Sequence, residues 1–529
     1  MSERALIVGC GIAGMAAALA LARRGKAVTL VERDPTPPPG DADAAFFDWP
    51  RRGALQFRHP HAFLGLMCNL LADRYPDLLD ALYAAGARRL DFKAMLPPNL
   101  VRGYRPKPSD AAIWGLLTRR AVFETVLRRH IQQTDNVTII NGITINGLIV
   151  NAANDPIEVQ GVGVRRDCVA AHGPELRADL VIDASGRTSR FPGWLAACGA
   201  PPEEENEDAE IVYYTRHYRR RPGVEEPPRD GKHRGNGDLG YIKYGVFPGD
   251  NRHFAIIVCL HREETRLRAA VRSADRFDAI CRSIPGLAPW LADAPEATTP
   301  PFGIGDIRGV RRCYVKDGKP QALNFFAVGD AALRTNPLYG RGCSTGILHA
   351  ELLAETLAET ADPRQRALAF EARTDAELGP IFKASRSEDR AGIRRSKAFF
   401  CQGQVPSAPK LGDPASEGKA PSDSRLKVPS NGNQAHRAGN GQLPEEADSK
   451  TRRARLAFGD ALAAASRNNL HVLRGLLRTV HLLEAPGHFL KDRRTRLIIM
   501  LYMLRGRRRN AAARWQQGPS REEMLALVD

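Results

Sequence analysis

Residues 4–33, RALIVGCGIAGMAAALALARRGKAVTLVER, decide the fold. Ala5–Val8 is a short apolar run typical of a buried strand, and a glycine-rich turn follows it at once. The alanine-rich stretch 12–24 predicts a helix, and 27–31 predicts a second strand that ends at Glu32. The order strand, helix, strand predicts a βαβ unit and therefore a parallel sheet.

The turn between the first strand and the helix contains three glycines. Gly9, Gly11 and Gly14 have the spacing Gly-x-Gly-x-x-Gly, after a strand and before a helix. The first glycine permits the tight turn, the second lets a pyrophosphate approach the backbone, and the third lets helix and strand pack closely. The N–H groups at the helix start, Ile12 and Ala13, favour an anion. These five residues form a predicted dinucleotide site.

An acidic residue ends the second strand. Glu32 lies about 20 residues beyond the turn, where a carboxylate accepts hydrogen bonds from the ribose hydroxyls of an adenosine. An acid there disfavours a 2′-phosphate. We predict that Glu32 and its neighbour Arg33 contact the adenosine end of the dinucleotide.

The composition is that of a large globular protein. The 529 residues, 43% hydrophobic and 26% charged, suffice for two or three domains. The apolar stretch 497–504 is far shorter than the ~20 residues that cross a bilayer, and residues 1–9 leave no room for a signal peptide, so we expect a cytoplasmic protein. The nine cysteines include no Cys-x-x-Cys pair, which argues against zinc and disulfides. His59 and His61 lack a carboxylate or cysteine cluster, so no metal site is expected.

The periodicity along the chain predicts an α/β fold. We expect a Rossmann-like domain of the glutathione reductase type, an inserted mainly antiparallel β substrate domain and a C-terminal helical region. The main predicted elements are a helix over 114–134, strands within 137–149, 179–183 and 323–328, β-rich runs at 211–218, 241–246 and 253–260, and a helix over 343–358. The predicted segments are 1–75, 114–204 and 301–360 for the nucleotide-binding domain, 76–113 for a substrate-domain or connecting segment, 205–300 for the substrate domain, 361–403 for a helical segment, 404–452 for a disordered linker and 453–529 for a basic helical region.

Four later segments bear on the cofactor. Residues 326–332 read FAVGDAA, and residues 336–344 continue with NPLYGRGCS. Residues 179–189 read DLVIDASGRTS, residues 117–124 read LTRRAVFE, and residues 51–61 read RRGALQFRHPH.

These segments resemble the flavoprotein monooxygenase superfamily of the para-hydroxybenzoate hydroxylase type, and more closely its epoxidase-like and hydroxylase-like branch, which is related to flavin halogenases and geranylgeranyl reductases. The resemblance covers about residues 4–360, is weakest in the middle domain, and implies that the nucleotide-binding domain holds FAD. It implies that Asp330, after Gly329, bonds the ribityl chain. The following loop would place N–H groups near the N1/C2 edge of the ring through Pro337, Gly340, Gly342 and Cys343. The positive end of the helix after Gly342 suits the negative charge of a reduced flavin.

The resemblance also assigns the remaining segments. It implies that Arg120, four residues before Glu124, reaches the FAD phosphates, with Arg119 as the substitute if the helix is rotated. Arg52 and Gln56 would contact the flavin. Asp183 and Gly186 would shape a turn beside it.

One motif departs from the aromatic hydroxylases. Ala184-Ser185-Gly186 stands where they have Ala-Asp-Gly, and this variant is similar to flavin halogenases and isoprenoid reductases. Reduction by NADPH or NADH, or by a partner reductase, therefore stays open.

The resemblance implies an FAD-dependent monooxygenase, a hydroxylase or epoxidase that acts through a flavin C4a-hydroperoxide. Its substrate would be a lipophilic or aromatic small molecule of secondary metabolism, such as a polyketide or terpenoid. A halogenase is disfavoured because no Trp-x-Trp-x-Ile-Pro segment is present, whereas the Ala-Ser-Gly turn favours a reductase. No catalytic acid or base is assigned. His349, Cys10 and Cys343 are interpreted as packed side chains.

The net charge of +17 is concentrated near the C-terminus. After position 400 there are 22 Lys and Arg against 12 Asp and Glu. This basic tail suggests peripheral contact with a membrane, or a cover over the substrate pocket. A non-enzymatic basic protein that binds nucleic acid is a distant alternative, disfavoured because no basic stripe interleaved with aromatic residues is visible. No nucleic-acid partner is expected.

Overall fold

The computed structural model describes residues 2–402, 445–514 and 518–529. In chain order its strands are β1 (Arg4–Val8), β2 (Ala27–Glu32), β3 (Arg88–Asp91), β4 (Trp114–Leu117), β5 (Val137–Asn141), β6 (Ile145–Asn151), β7 (Ile157–Val164), β8 (Glu175–Arg177), β9 (Leu180–Asp183), β10 (Glu203–Asp208), β11 (Ile211–Arg219), β12 (Asn236–Asp238), β13 (Ile242–Pro248), β14 (His253–His261), β15 (Glu296–Ala297), β16 (Phe302–Ile304), β17 (Arg308–Cys313), β18 (Val315–Lys316), β19 (Lys319–Pro320), β20 (Ala322–Leu323), β21 (Phe325–Ala327) and β22 (Leu333–Arg334).

The α-helices in the same ranges are α1 (Ile12–Ala22), α2 (Ala42–Asp48), α3 (Gly65–Arg74), α4 (Pro76–Ala84), α5 (Phe92–Met95), α6 (Pro98–Val101), α7 (Arg120–Gln132), α8 (Val169–His172), α9 (Phe191–Ala197), α10 (Thr265–Ala270), α11 (Ala274–Ser283), α12 (Ala288–Leu291), α13 (Gly342–Glu359), α14 (Pro363–Glu377), α15 (Gly379–Gln402), α16 (Glu445–Asn468), α17 (Leu470–Val480), α18 (Arg493–Leu504), α19 (Arg507–Arg514) and α20 (Arg521–Ala526).

Five parallel strands form the central sheet, in the spatial order β21, β9, β1, β2, β5. Ala5–Val8 is buried along its whole length, which is why β1 is a continuous apolar run. Helices α1, α7 and α13 share one core through Met15, Phe123 and Ile347. Because the strands are parallel, their carboxyl ends bring Glu32 and the turns that follow β1, β9 and β21 to one edge. The glycine turn lies at this edge.

Antiparallel strands form a second sheet. Its order is β12, β13, β14, β11, β15, and β16 also pairs with β11. Helix α11 packs its apolar face, including Phe277 and Ile280, into the core of this sheet. Strand β10 begins at Glu203 in a smaller sheet with β17, and β16 extends to Ile304, so β structure runs beyond both ends of the predicted segment 205–300.

The prediction of a helix over the first part of residues 114–134 is wrong. Residues Trp114–Leu117 form β4, which pairs antiparallel with β3, and α7 begins at Arg120. Trp114 and Leu116 are buried, so this apolar run packs as part of a strand and not as one face of a helix.

The C-terminal helices dock on helix α3 and on the antiparallel sheet. His481, just after α17, accepts a hydrogen bond from the Leu66 amide at 2.9 Å. Met524 and Leu525 of α20 lie in the core of the antiparallel sheet. The predicted linker 404–452 lies largely outside the described residues, but α16 begins at Glu445, within that range. Across the described ranges, no helix is long and apolar enough to cross a membrane.

Candidate functional site

The glycine turn shows which glycines the protein itself requires. A Cβ added at Gly9, where φ is +110°, would lie 2.4 Å from the Ala184 carbonyl oxygen, and one at Gly14 would lie 1.9 Å from the Gly9 oxygen. A Cβ at Gly11 would meet only the Arg120 guanidinium, at 4.0 Å. Backbone packing therefore explains Gly9 and Gly14. Space beside Gly11 is left for a bound group, next to a helix start without a side-chain cap.

Arg120 lies beside this space. Its Nε donates to Glu124 Oε1 at 2.6 Å, and its Nη1 lies 3.1 Å from His61 Nε2. Arg119, the predicted substitute, points elsewhere and donates through Nε to Asp250 Oδ1 at 3.0 Å. The structure therefore brings Arg120, and not Arg119, to Gly11.

A buried ionic network surrounds Glu32. Arg51 Nη1 donates to Glu32 Oε2 at 2.7 Å and to Asp34 Oδ2 at 3.1 Å. Arg51 Nη2 donates to Glu124 Oε2 at 3.2 Å, and the Cys10 amide donates to Glu32 Oε2 at 3.1 Å. The network thus joins the glycine turn, the end of β2 and helix α7.

The sequence did not indicate that Arg51, Asp34 and Glu124 join Glu32 in this network. Burial opposes the charge of Glu32, but Arg51 outweighs it and holds the pKa of Glu32 below its ordinary value. Burial likewise opposes the charge of Arg51, whose pKa is nevertheless raised by Glu124 and Glu32. Glu32 and Arg51 are therefore both charged at neutral pH. The run Arg51-Arg52 was the only sequence signal. The resemblance singled out Arg52, whereas the structure turns Arg51 inward and leaves Arg52 exposed.

The other predicted residues of this region differ in exposure. Arg33 and Arg52 are exposed, and Arg33 Nη2 donates to the Arg52 carbonyl oxygen at 3.4 Å. Gln56 is half-buried, and its Oε1 has no hydrogen-bond partner in the described residues. Arg33 and Arg52 therefore lie at the rim, while Gln56 offers an inward acceptor.

The Gly329-Asp330 pair meets the glycine turn. A Cβ added at Gly329, where φ is +60°, would lie 2.6 Å from the Ala13 side chain. Asp330 is half-buried, and within the described residues its carboxylate accepts no hydrogen bond. Burial raises the pKa of Asp330, and the charges of Arg334 and Arg120 act in the opposite direction. The carboxylate is therefore an available acceptor at the centre of the site.

The loop after Asp330 is held from several sides. Asn336 accepts a hydrogen bond from the Tyr213 hydroxyl and donates to Asp389 Oδ1 at 2.6 Å. Pro337 starts a short 3₁₀ turn that ends at Gly340, where φ is +64° and an added Cβ would lie 2.7 Å from Ala62. The loop therefore contacts both the antiparallel sheet and the segment 51–62.

Helix α13 follows this loop. A Cβ added at Gly342 would lie 3.9 Å from Asp330 Oδ1, so the helix start faces the Asp330 carboxylate. Ser344 is buried, and its Oγ has no partner among the described residues. Burial raises the pKa of Cys343, and likewise of Cys10, to about 12, so both thiols stay protonated. This agrees with their interpretation as packed side chains.

Asp183 is committed to its own turn. Its Oδ1 accepts from the Ser185 amide at 2.9 Å and hydroxyl at 2.5 Å, and its Oδ2 accepts from Ser189 Oγ at 2.6 Å. Gly186 has φ of +73° and begins a 3₁₀ turn. Ala184 packs against Gly9. The turn therefore shapes the wall of the site, while the Asp183 carboxylate is fully used within the protein.

A narrow cleft, open to solvent, lies between the two sheets beside Arg120. Its lining residues are Phe46, Phe57, Arg58, His59, Pro60, His61, Thr118, Arg119, Arg120, His217, Phe247, Pro248, Gly249, Phe254 and Ala255. Burial lowers the pKa of His59 to about 4 and that of His217 to about 3, so both imidazoles are neutral near pH 7. The described residues hold no group of three or more side chains suited to a metal ion.

His349, on α13, is packed against the Gly329 turn. Its Nδ1 accepts from the Gly329 amide at 3.2 Å, and its Nε2 is 3.0 Å from Thr374 Oγ1. Only the neutral imidazole suits both contacts, and burial lowers the pKa of His349 from 6.5 to about 3.

We expect the H349Q substitution to change how stability depends on pH. Between pH 6.5 and about 3 the unfolded chain binds a proton at His349 that the native state does not, so the stability that His349 contributes is complete above pH 6.5 and decreases as the pH falls. The difference in unfolding free energy between wild type and H349Q should narrow by about 1.4 kcal/mol per pH unit below pH 6.5. Urea denaturation of both proteins at pH 7.5, 6.0 and 5.0 measures this difference. A difference that stays constant with pH would show that His349 is not held neutral in the native state.

These residues fit FAD. The space at Gly11 is open, and the helix start beside it has no side-chain cap. Within the described residues, the Asp330 carboxylate, the Ser344 hydroxyl and Gln56 Oε1 have no hydrogen-bond partner and are available to such a group. Gly11 and Arg120 would hold the phosphates, Glu32 the adenosine ribose and Asp330 the ribityl chain. The loop Pro337–Gly342 would line the ring.

The N-terminal segment matches a known family. Residues 4–46 match the sequence model of a family described as FAD dependent oxidoreductase. Among curated proteins, protein Rv3254 of Mycobacterium tuberculosis is 28% identical over 229 residues, which are 41% of this chain and 45% of that protein. The chain thus aligns with less than half the length of this relative.

Solved flavoprotein structures share the fold. PqsL of Pseudomonas aeruginosa, described as a probable FAD-dependent monooxygenase, is 19% identical with a TM-score of 0.53, covering 76% of this chain and 100% of that chain. The flavin-dependent brominase Bmp2 is 15% identical with a TM-score of 0.53, covering 76% of this chain and 91% of that chain. The chain has the α/β fold of these flavoproteins, and its residues 4–46 match the FAD dependent oxidoreductase family. The predicted resemblance is confirmed at that level.

Proposed function

We propose that the chain is a monooxygenase, a hydroxylase or epoxidase, that acts on an aromatic or lipophilic small molecule in the cleft between the two sheets. In this proposal the parallel sheet is a Rossmann-like FAD-binding domain of the glutathione reductase type, and the antiparallel sheet is an inserted substrate domain. The proposal rests on one observation: the cleft, the glycine turn and the loop after Asp330 lie next to one another. Arg120 lines the cleft and lies beside Gly11, and Ala62, which follows the cleft residue His61, lies beside Gly340.

The chemistry of the cleft favours an uncharged substrate with apolar surface. Phe46, Phe57, Phe247 and Phe254 supply aromatic surface to the lining. Arg119 is compensated by Asp250, and Arg120 by Glu124, so neither presents an uncompensated charge. A pocket of this type buries apolar area and orients the ligand through a few polar atoms.

Polar atoms on both walls can orient the substrate. His217 Nε2 is 2.6 Å from the Arg58 carbonyl oxygen, and its Nδ1 has no partner in the described part of the chain. His59 Nδ1 is 2.8 Å from Thr215 Oγ1. Because His217 Nε2 must donate to a carbonyl, its Nδ1 is left as an acceptor. We assign it the role of accepting a hydrogen bond from a substrate hydroxyl or amine.

Bound FAD would supply the redox chemistry, taking electrons from NADPH or NADH and passing them to oxygen. The chain would hold the phosphates at Gly11 and Arg120, would accept hydrogen bonds from the ribityl hydroxyls at Asp330, and fixes the loop Pro337–Gly342 through Asn336.

A reductase of the isoprenoid-saturating kind is a second candidate. The turn at Ser185 supports it, because Asp183 is consumed by Ser185 and Ser189 and the turn presents a hydroxyl in place of the carboxylate of Ala-Asp-Gly.

Anaerobic addition of NADPH or NADH to the FAD-reconstituted protein tests the proposal. We expect the flavin absorbance to bleach and to return on admission of air, with faster bleaching when an aromatic substrate occupies the cleft. The G11A variant treated in the same way should show no flavin bands, because Gly11 leaves the space for the phosphates.

The other outcomes separate the alternatives. Bleached flavin that air does not restore, but an unsaturated lipophilic acceptor does, would support the reductase. Flavin that bleaches only with an added flavin reductase would indicate a two-component enzyme, and halide incorporation would then identify a halogenase. Failure to retain FAD on reconstitution would overturn all three.

A further inference from the structure

Helix α18 exposes an apolar face. Leu497, Met500, Leu501 and Leu504 have the spacing i, i+3, i+4, i+7, which places them along one side of the helix. Leu497 is 53% exposed and Leu504 77%, and Met500 and Leu501 are about half exposed. We call these four residues the α18 face. Clustered exposed apolar side chains of this size mark an interaction site more often than ordinary surface.

The opposite side of α18 is packed. Ile499 lies in a core with Ala461 and Ala465 of α16 and Val472 of α17. Asp492 caps the helix by accepting from the Thr495 amide at 2.7 Å. The opposite side of the helix therefore anchors α18 in the folded protein, and the α18 face remains exposed.

Basic residues surround the α18 face. Between residues 485 and 514 there are nine Lys and Arg and one acidic residue, Asp492. The exposed ones include Arg493, Arg494 and Arg496 on α18, Arg505 at its C-terminal end, and Arg508 and Arg509 on the following helix α19. In the described part of the chain these six form no ion pair with a carboxylate, although Arg505 lies over the Tyr502 ring. An exposed apolar strip bordered by unneutralised guanidinium groups is complementary to a surface that is apolar beneath and anionic on top.

We propose that the α18 face rests on an anionic lipid membrane. Helix α18 would lie in the plane of the interface, with its leucines at the boundary between headgroups and acyl chains and its arginines on lipid phosphates. Its 12 residues span about 18 Å, which is too short to cross the bilayer. The proposal extends beyond the redox function, because it locates the enzyme at the phase in which a lipophilic substrate is concentrated.

Co-sedimentation with vesicles tests the proposal in the full-length protein. The probes are vesicles of phosphatidylcholine alone and of an equal mixture of phosphatidylcholine and phosphatidylglycerol. We expect binding to the mixed vesicles, weakened by added salt, and little binding to phosphatidylcholine. The triple variant L497Q/L501Q/L504Q should bind at least about 100-fold more weakly, because three large side chains no longer enter the interface. The variant R508Q/R509Q should lose roughly tenfold toward mixed vesicles.

The controls separate membrane docking from misfolding and from self-association. Leu527, just after helix α20, is 51% exposed, so L527Q should bind vesicles like the wild type. All substituted side chains are exposed, so circular dichroism and FAD retention should be unchanged. Equal binding by wild type and the triple variant would overturn the proposal. Absence of vesicle binding would also overturn the proposal. If sedimentation velocity then showed dimers of the wild type but not of the triple variant, the α18 face would bind a second copy of the chain. Vesicle binding does not depend on flavin reduction, so its failure is distinct from failure of the proposed function.

Discussion

The G11A protein should fold normally and fail to retain FAD, whereas G14A should fail to fold stably. The added methyl at residue 11 meets only Arg120 at 4.0 Å, an ordinary contact, but it fills the space proposed for the pyrophosphate. Loss of one or two hydrogen bonds to a charged phosphate would weaken FAD binding roughly 100-fold. At residue 14 the methyl would lie 1.9 Å from the Gly9 oxygen, and overpacking of this kind costs about 3 kcal/mol or more.

The two variants are compared by flavin absorbance after desalting and by urea unfolding of the flavin-free protein. G193A is the matched control, because a Cβ there meets nothing within 4 Å. It should retain FAD and stability. If G11A retained FAD with unchanged affinity, the pyrophosphate would not lie at the glycine turn, and the proposed cofactor site would be wrong.

The E124Q substitution is expected to lower the free energy of unfolding by about 3–5 kcal/mol. Glu124 is fully buried and accepts from both Arg51 and Arg120. Arg51 would keep Glu32 and Asp34 as partners, but Arg120 would lose the carboxylate with which it pairs in the described residues. A buried ion left without its partner carries its desolvation penalty. Urea unfolding measures the change, and flavin absorbance should fall as well because Arg120 loses its position.

The matched control for E124Q is E359Q. Glu359 pairs with Arg373, but its side chain is 57% exposed, so water screens the pair and its removal should cost 0 to about 1 kcal/mol. Similar losses in the two variants would show that burial does not strengthen the Glu124 contacts, and the network around Arg51 would then not be a stabilising element.

The cofactor turns can be recognised in the amino-acid sequence because their requirements are local. The glycine spacing, Glu32 at the strand end and the Gly329-Asp330 pair each lie within one turn, and the fold joins them at one sheet edge. Arg120 was implied by the resemblance of residues 117–124 to a family motif, whose spacing it matches relative to Glu124. The strand at Trp114–Leu117 did not follow, since its pairing with Arg88–Asp91 is a tertiary contact.

The choice between neighbouring arginines also needed tertiary structure. Arg51 and Arg52 are chemically alike in the sequence, but Arg51 reaches Glu124, 73 residues away, while Arg52 is exposed. The cleft and the α18 face depend in the same way on which elements pack together. The sequence by itself determined the dinucleotide turn and the acidic and glycine positions around it, because main-chain geometry requires them. Only the tertiary structure decided which charges are buried as partners and which apolar side chains remain exposed, because these depend on contacts between distant segments.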